Sequence, residues 1–152
     1  MLSRLDYCNS VLVGLPQYLI KRLQGVQNVT ARSILRTPRS EHISPLLQNL
    51  HWLPVNRRTL HKVAALCHSS LSGSGPQYSS DLTHAYTPAR SLRSSADTSI
   101  LSTYNVNLKS YDQRSFAYHG PTTWNSFPLA LRYQQESDCF KRALKTHLFS
   151  LK

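Results

Sequence analysis

Residues 42–71 read HISPLLQNLHWLPVNRRTLHKVAALCHSSL and carry the densest apolar content of the 152-residue chain. Within them, apolar residues recur at helical spacing from position 55 to position 71, which predicts a helix of that length. One side of this helix is apolar, and the other side carries Arg57, Arg58, His61, Lys62 and His68. Because a helix with one apolar side buries that side against other elements, we expect the rest of the chain to pack around this segment.

The first half of the same segment is divided by prolines into a short helix and a linker. Ser44-Pro45 is typical of a first helical turn and predicts a helix over residues 46–50. Trp52 follows among aliphatic neighbours, which favour its burial as a core anchor. The alternative is an exposed tryptophan that stacks on a nucleobase.

The N-terminal part of the chain predicts helices over residues 3–13 and 16–36. In the first helix the apolar stripe consists of Leu5, Cys8, Val11 and Leu12. In the second helix, the residues expected to face the core at 100° per residue are Leu19, Ile20, Leu23, Val26, Thr30 and Ile34. Lys21, Arg32 and Arg36 fall on the opposite side, with Arg22 at its edge. This basic side predicts a row of phosphate contacts, and an ordinary solvated helix face is the alternative.

The second half of the chain has sparser apolar residues and more turn-forming ones. Residues 72–103 are dominated by Pro, Gly and Ser, and they predict a short helix after Pro76 followed by a long loop. Weak alternation over residues 100–108 and 111–116 predicts a small β-hairpin. The GPTTWNSFP segment that follows is turn-rich and places Trp124 for burial.

A last helix is predicted over residues 137–151. Its apolar stripe consists of Phe140, Leu144, Leu148 and Leu151. Together the elements predict a mainly α fold, a small helical bundle with a long Ser/Pro-rich loop and one short β-hairpin. We expect three regions along the chain: a helical region over 1–72, a Ser/Pro/Gly-rich loop over 73–99, and a C-terminal segment over 100–152.

The chain is strongly basic, with 18 Lys and Arg residues against 7 Asp and Glu residues and a formal net charge of +11. Such a surplus favours polyanionic partners, nucleic acid first and an anionic membrane second. No apolar run approaches the roughly 18–20 residues that a membrane helix needs. We therefore expect a nucleic-acid backbone as the partner and no membrane.

Patterns that carry catalysis or hold metals are missing from the sequence. The acidic residues are mostly isolated, there is no GxxxxGK[ST] or GxSxG motif, and no Cys or His pair has the spacing of a structural zinc site. We expect no cofactor and no metal. Cys67 and Cys139 fall on apolar helical faces, which predicts small buried thiols in a reducing compartment.

Five segments of the chain, in order, are similar to one known family. They are SRLDYCNSVLVGLP from Ser3, LQGVQNVTAR from Leu23, LHWLPVNRR from Leu50, YTPARSLRSS from Tyr86 and WNSFP from Trp124. They resemble the part of LINE-type (non-LTR) retrotransposon reverse transcriptases that lies beyond the polymerase palm. The resemblance covers nearly the whole chain.

The resemblance implies a mostly helical thumb and the segment that follows it, beside the template–primer channel. In the family, the catalytic aspartates belong to the palm, upstream of Met1, so we expect this chain not to be an enzyme. After Lys62 the family typically continues with more aliphatic residues and a GxAPxYL motif, whereas this chain reads AALCHSSLSGSGPQYSSDL. That departure suits a copy not maintained for activity.

The resulting hypothesis is a non-catalytic, intracellular (cytoplasmic or nuclear) remnant of a retrotransposon reverse transcriptase that binds RNA or DNA backbone without sequence preference. The residues expected to make the contacts are Lys21, Arg22, Arg32, Arg36, Arg57, Arg58 and Lys62. The alternative is a helical interaction module whose apolar faces need an absent partner and which self-associates, or a decayed reading frame with no cellular role.

Overall fold

The structure, a computed structural model, describes residues 6–87, 99–104 and 114–151, and these residues are mainly helical. The helices are α1 (Gln17–Leu35), α2 (Ile43–Asn49), α3 (Val55–Leu71), α4 (Gln77–Ser80), α5 (Phe116–Asn125), α6 (Leu129–Arg132) and α7 (Ser137–Ser150). The described residues contain no strand beyond one isolated bridge. The predicted mainly α fold class is confirmed.

Several helix bounds follow the sequence predictions closely. The predicted helix over residues 55–71 is α3, and α4 lies directly after Pro76 as expected. The C-terminal end of α1 is set by Arg36, which adopts a left-handed conformation with φ of 51° and donates its backbone N–H to the Arg32 carbonyl. The helix therefore stops one residue before the Thr37-Pro38 step.

The first predicted helix, over residues 3–13, is wrong within the described part of the chain. Residues 3–5 lie outside the described residues, Asp6 is helical, and after a turn at residues 7–8 the chain forms a 3₁₀ turn over Asn9–Leu12. Val11 is 73 % exposed, although the helical pattern placed it inward, and Asn9 and Val13 are buried instead. A 3₁₀ turn of four residues is too short to form the apolar stripe predicted for a helix over residues 3–13.

The chain forms two compact units: unit 1 is Met1–His61 with Lys145–Lys152, and unit 2 is Lys62–Leu144. The buried apolar residues of unit 1 are Val13, Ile20, Ala31, Leu46, Leu47, Leu53, Val55 and Leu148. Those of unit 2 are Val63, Ala64, Cys67, Leu101, Trp124, Phe127, Leu131, Phe140 and Leu144. The three regions expected along the chain stay a prediction.

The side of α1 that is buried differs from the predicted side. Its buried residues are Ile20, Gln27 and Ala31, whereas Val26 is 41 % and Ile34 is 54 % exposed. At about 100° per residue, the buried side is rotated by roughly 70° from the predicted stripe. The predicted stripe was therefore wrong in orientation, although the helix itself was predicted correctly.

Hydrogen bonds to the linker between α2 and α3 account for this rotation. Gln27 Nε2 donates to the Leu53 carbonyl at 2.9 Å in a buried bond, and Gln24 Oε1 accepts the backbone N–H of Val55 at 2.9 Å. The second bond satisfies an N–H in the first turn of α3, where no intrahelical partner exists. The side of α1 that faces the core therefore carries the amide side chains of Gln24 and Gln27, whereas the hydropathy pattern predicted a core-facing side made mainly of aliphatic residues.

Three rings form the centre of unit 2. The Phe140 ring stacks on the His68 ring at a centroid distance of 4.4 Å and lies 5.6 Å from the Trp124 ring. His68 Nε2 donates to the Gln134 carbonyl at 2.8 Å, and Trp124 Nε1 donates to the Ser99 carbonyl at 2.8 Å. Burial of Trp124 is confirmed, whereas the predicted outward position of His68 is wrong because this ring is only 4 % exposed.

Helix α5 replaces the turn-rich segment that the sequence predicted. Pro121 lies inside this helix, where it removes one backbone hydrogen bond. Tertiary packing explains why the helix forms nevertheless: a Cβ at Gly120 would meet Cys67 Sγ at 3.1 Å and the Phe116 ring at 3.3 Å. Glycine therefore permits a close approach between α5 and α3, and a larger residue at this position would require Cys67 or Phe116 to shift.

The extended residues near position 101 pair differently from the predicted hairpin. Leu101 forms an isolated antiparallel bridge with Ala85. The Asn125 side chain brackets the same residue, since its Nδ2 donates to the Leu101 carbonyl at 2.8 Å and its Oδ1 accepts the Leu101 N–H at 2.9 Å. Phe116, assigned to the second strand, begins α5, and residues 105–113 of the predicted hairpin lie outside the described residues.

Candidate nucleic-acid interface

Positive charge is concentrated in unit 1. Its residue ranges hold ten Lys and Arg residues against two acidic residues, Asp6 and Glu41, whereas unit 2 holds eight against five. Arg58 Nη2 lies 3.2 Å from Asp6 Oδ2, so one of the two carboxylates in unit 1 already has a cationic partner. Most of the net charge of the chain therefore belongs to unit 1.

Helix α1 presents three of the predicted contact residues to solvent. Lys21 and Arg22 are adjacent and exposed near its N-terminal end, and Arg36 is exposed at its C-terminal cap. At about 1.5 Å per residue, Lys21 and Arg36 are separated by roughly 22 Å along the helix axis. The described residues offer none of these three side chains a hydrogen bond or an ion pair.

Arg32, the fourth predicted residue on α1, is engaged with the backbone. Its Nη1 donates to the Pro38 carbonyl at 2.7 Å and its Nη2 donates to the Glu41 carbonyl at 2.8 Å. The guanidinium therefore holds the loop that leads from α1 into α2. Arg39 lies in this loop and is exposed. It adds a cation to unit 1 that the helical periodicity did not identify, because it lies beyond the end of α1.

The predicted contact residues on α3 are partly engaged as well. Arg57 Nη2 donates to the Leu151 carbonyl, and Arg58, with a side chain only 19 % exposed, pairs with Asp6. Lys62 is exposed and belongs to unit 2. Arg58 is therefore a structural residue of unit 1 in this arrangement, while Arg57 lies at the edge of a groove.

This groove, called the Trp52 groove below, has a volume of about 300 Å³ and lies entirely in unit 1. It is lined by Ser44, Leu47, Gln48, Trp52, Pro54, Asn56, Arg57 and Phe149. Trp52 is half-buried, so the prediction of a core anchor holds only in part. The sequence did not suggest the groove, because Phe149 comes from the far end of the chain.

The backbone on both sides of Trp52 is fixed by hydrogen bonds. The Trp52 N–H donates to the Leu47 carbonyl at 2.8 Å and the His51 N–H donates to the Gln48 carbonyl at 2.9 Å. With His51 in the left-handed conformation at φ of 53°, these bonds form a Schellman motif that ends α2. The carbonyl of the following residue, Leu53, accepts the hydrogen bond from Gln27 of α1. Hydrogen bonds therefore fix the backbone before and after Trp52.

Two thiols in the described residues, those of Cys67 and Cys139, have a raised pKa. Burial raises the pKa of the Cys67 thiol to about 12. The pKa of the Cys139 thiol is raised by its hydrogen bond to Glu136 and by the charge of that carboxylate. Cys67 is buried as predicted, but Cys139 is exposed, so its predicted burial is wrong. Protonated thiols are poor nucleophiles.

Other site chemistry is sparse in the same part of the chain. Within residues 6–87, 99–104 and 114–151, no three His, Cys, Asp or Glu residues come together as a metal site. Burial lowers the pKa of His119, which favours its neutral form. The described helices are all too short or too polar to cross a bilayer. Comparison of the chain with protein families, curated proteins and solved structures finds no match.

Proposed function

We propose that unit 1 binds the sugar–phosphate backbone of RNA or DNA without sequence preference. The observation that carries this proposal is the charge of unit 1, ten cationic against two acidic residues, with Asp6 already paired. The exposed cations that would contact phosphates are Lys21, Arg22, Arg36 and Arg39. Arg32, Arg57 and Arg58 contribute to the field while their guanidinium groups also hold the fold.

The proposed mechanism is release of counterions from the nucleic acid. Each phosphate neutralised by Lys or Arg contributes about −0.9 to the slope of log K against log salt on duplex DNA and about −0.7 on a single strand. Four exposed cations therefore correspond to a slope of roughly −3 to −4. Such binding needs no base contact and no bound metal.

We further propose that the chain descends from a LINE-type reverse transcriptase and lacks polymerase activity. The support is the order and length of the five similar segments, including WNSFP from Trp124. In that segment Trp124 is buried and Asn125 brackets Leu101. These contacts give Trp124 and Asn125 a role in the fold. We expect a chain that keeps its fold to keep such residues even when it has lost catalysis.

Fluorescence anisotropy with labelled oligonucleotides tests the binding proposal. The affinity for oligonucleotides of different sequence should be similar and should fall steeply between about 50 and 200 mM salt. A binding curve insensitive to salt, or no binding at the lower salt concentration, would contradict the proposal. Sequencing of the genomic DNA upstream of the Met1 codon tests the proposed descent, which predicts intact or decayed polymerase coding sequence there.

The second candidate function is a helical interaction module, and a separate surface favours it. Tyr18, Val26, Val29 and Ile34 of α1 are 64 %, 41 %, 66 % and 54 % exposed. Apolar exposure of this extent on one helix is typical of a docking surface. Because α1 carries Lys21, Arg22 and Arg32 and no acidic residue, the occupant that fits best is an amphipathic helix with acidic flanks.

A hydrophobic-surface dye and size-exclusion chromatography distinguish the two candidates. The interaction module predicts strong dye binding that Val29→Asp reduces, together with binding of an acidic amphipathic peptide and no binding of nucleic acid. A wild-type dimer that Val29→Asp dissolves would instead identify a second copy of the chain as the occupant. Weak dye binding with salt-dependent nucleic-acid binding would exclude the module.

A further inference from the structure

We infer that the Trp52 groove accepts an unpaired nucleobase, so that unit 1 prefers single-stranded to duplex nucleic acid. This inference rests on the proposed binding function and adds the strand type that the same unit selects. The observations that carry it are the composition of the groove, the position of Trp52 and the hydrogen bonds that hold this tryptophan in place.

The groove has the size and chemistry of a small-ligand site. Its volume of about 300 Å³ lies at the lower end of the usual range for ligand pockets. Leu47, Trp52, Pro54 and Phe149 supply an apolar and partly aromatic lining. A flat aromatic ligand suits such walls better than a bulky side chain of a folded partner, because two aromatic residues contribute to the lining.

Polar groups border the same groove. Gln48 and Asn56 bring amide groups that can each donate and accept hydrogen bonds, and Ser44 brings a hydroxyl. Exposed base edges are recognised by such groups in single-stranded nucleic acids. Arg57 lines the groove while its Nη2 is held by the Leu151 carbonyl, which keeps a positive charge beside the position of an incoming nucleotide.

Trp52 differs from the other tryptophan in its accessibility. Trp124 is 1 % exposed, whereas Trp52 remains half-buried in the groove. The Schellman motif on one side and the bond from Gln27 to Leu53 on the other fix its backbone. Because the backbone at Trp52 is already fixed, less conformational freedom is lost when a base stacks on its ring, and this preorganisation favours binding.

Strand selection follows from the position of bases in the two kinds of nucleic acid. In a duplex both faces of every base are covered by stacked neighbours, whereas a single strand can turn a base out onto an aromatic side chain. The exposed cations of unit 1 attract both kinds of strand, because both carry phosphates. Only the single strand gains the additional contact with Trp52.

The test compares an oligo(dT) of about 12 nucleotides, within the usual range of site sizes, with a mixed-sequence duplex of the same length. Wild-type protein, Trp52→Ala and Trp52→Phe are measured by anisotropy at constant salt. Trp52→Ala should weaken single-strand binding roughly 10- to 100-fold and leave duplex binding unchanged. Trp52→Phe should retain most of the single-strand affinity, since phenylalanine keeps an aromatic face.

Tryptophan fluorescence provides an independent readout and a folding control. Oligo(dT) should quench the emission of wild-type protein, but it should not quench Trp52→Phe, whose remaining tryptophan is buried. Circular dichroism establishes that each variant is folded. If wild-type protein bound the single strand and the duplex equally well and Trp52→Ala changed neither affinity, the inference about Trp52 would be overturned while the proposed binding function would stand. Absence of binding to either oligonucleotide at low salt would overturn the proposed function itself.

Discussion

Replacing Gln27 by alanine is expected to lower the free energy of unfolding by about 3 kcal/mol. The Gln27 side chain is fully buried and its Nε2 donates to the Leu53 carbonyl at 2.9 Å. Truncating a large buried side chain to alanine costs about 2–5 kcal/mol through lost packing and the cavity that remains. The lost hydrogen bond adds a further penalty, because the buried carbonyl of Leu53 is left without its donor.

One compensating effect limits this penalty. Among the described residues, Gln27 Oε1 is buried and has no hydrogen-bond partner. A buried unsatisfied polar atom costs about 1–3 kcal/mol, so its removal offsets the lost bond and leaves the cavity as the main loss. Gln27→Leu, which fills most of the volume, should therefore remain within about 1 kcal/mol of wild type.

Urea denaturation followed by circular dichroism and tryptophan fluorescence measures these differences. For a chain of this length, a loss of 3 kcal/mol corresponds to a fall in Tm of roughly 6–12 °C. The matched control is Gln17→Ala, since Gln17 is exposed at the start of the same helix, and it should change the free energy of unfolding by less than about 0.5 kcal/mol. Equal losses for Gln27→Ala and Gln17→Ala would refute the argument.

Two further predictions concern α1 and the thiols. Gly25 lies inside α1 with open space around the position of a Cβ, so Gly25→Ala should raise the free energy of unfolding by about 0.5–1 kcal/mol in a urea titration; a loss would show that the position is crowded. In the folded protein a thiol reagent should modify Cys8 and Cys139 and leave Cys67 intact until denaturant is added, and Glu136→Ala should accelerate the reaction of Cys139. Because folding raises the pKa of Cys67 from 9.0 to about 12, its contribution to stability is complete below pH 9. That contribution is lost as the pH rises toward 12, at up to about 1.4 kcal/mol per pH unit relative to Cys67→Ala.

Periodicity predicted the long helices well because their apolar residues repeat over many turns. Helix α3 has the predicted bounds, and Phe140, Leu144 and Leu148 of α7 are buried as expected. Leu151, the last residue of the predicted stripe, lies beyond the end of α7 and is exposed. Periodicity failed where tertiary contacts override local preference. Proline inside α5 indicates a break, but close packing at Gly120 stabilises this helix. Such packing joins residues far apart in the sequence, and no local pattern contains it.

The candidate site was predicted less completely than the fold. Charge counts identified the cations, yet Arg32 is engaged with two loop carbonyls and Arg58 pairs with Asp6. An arginine bound to the protein backbone and one facing solvent look alike in a helical pattern. The orientation of α1 was missed for a related reason, since the buried amide of Gln27 counts as polar although its hydrogen bond permits burial.

The salt dependence of binding by charge variants tests the central claim most directly. The triple variant Lys21→Ala, Arg22→Ala, Arg36→Ala is compared with wild type on the same duplex. The slope of log K against log salt should become shallower by about 2–3 units. The two-residue control, Lys141→Ala with Arg142→Ala, removes exposed cations of unit 2 and should leave the slope nearly unchanged. Equal slopes for wild type and the triple variant would contradict the assignment of nucleic-acid binding to unit 1.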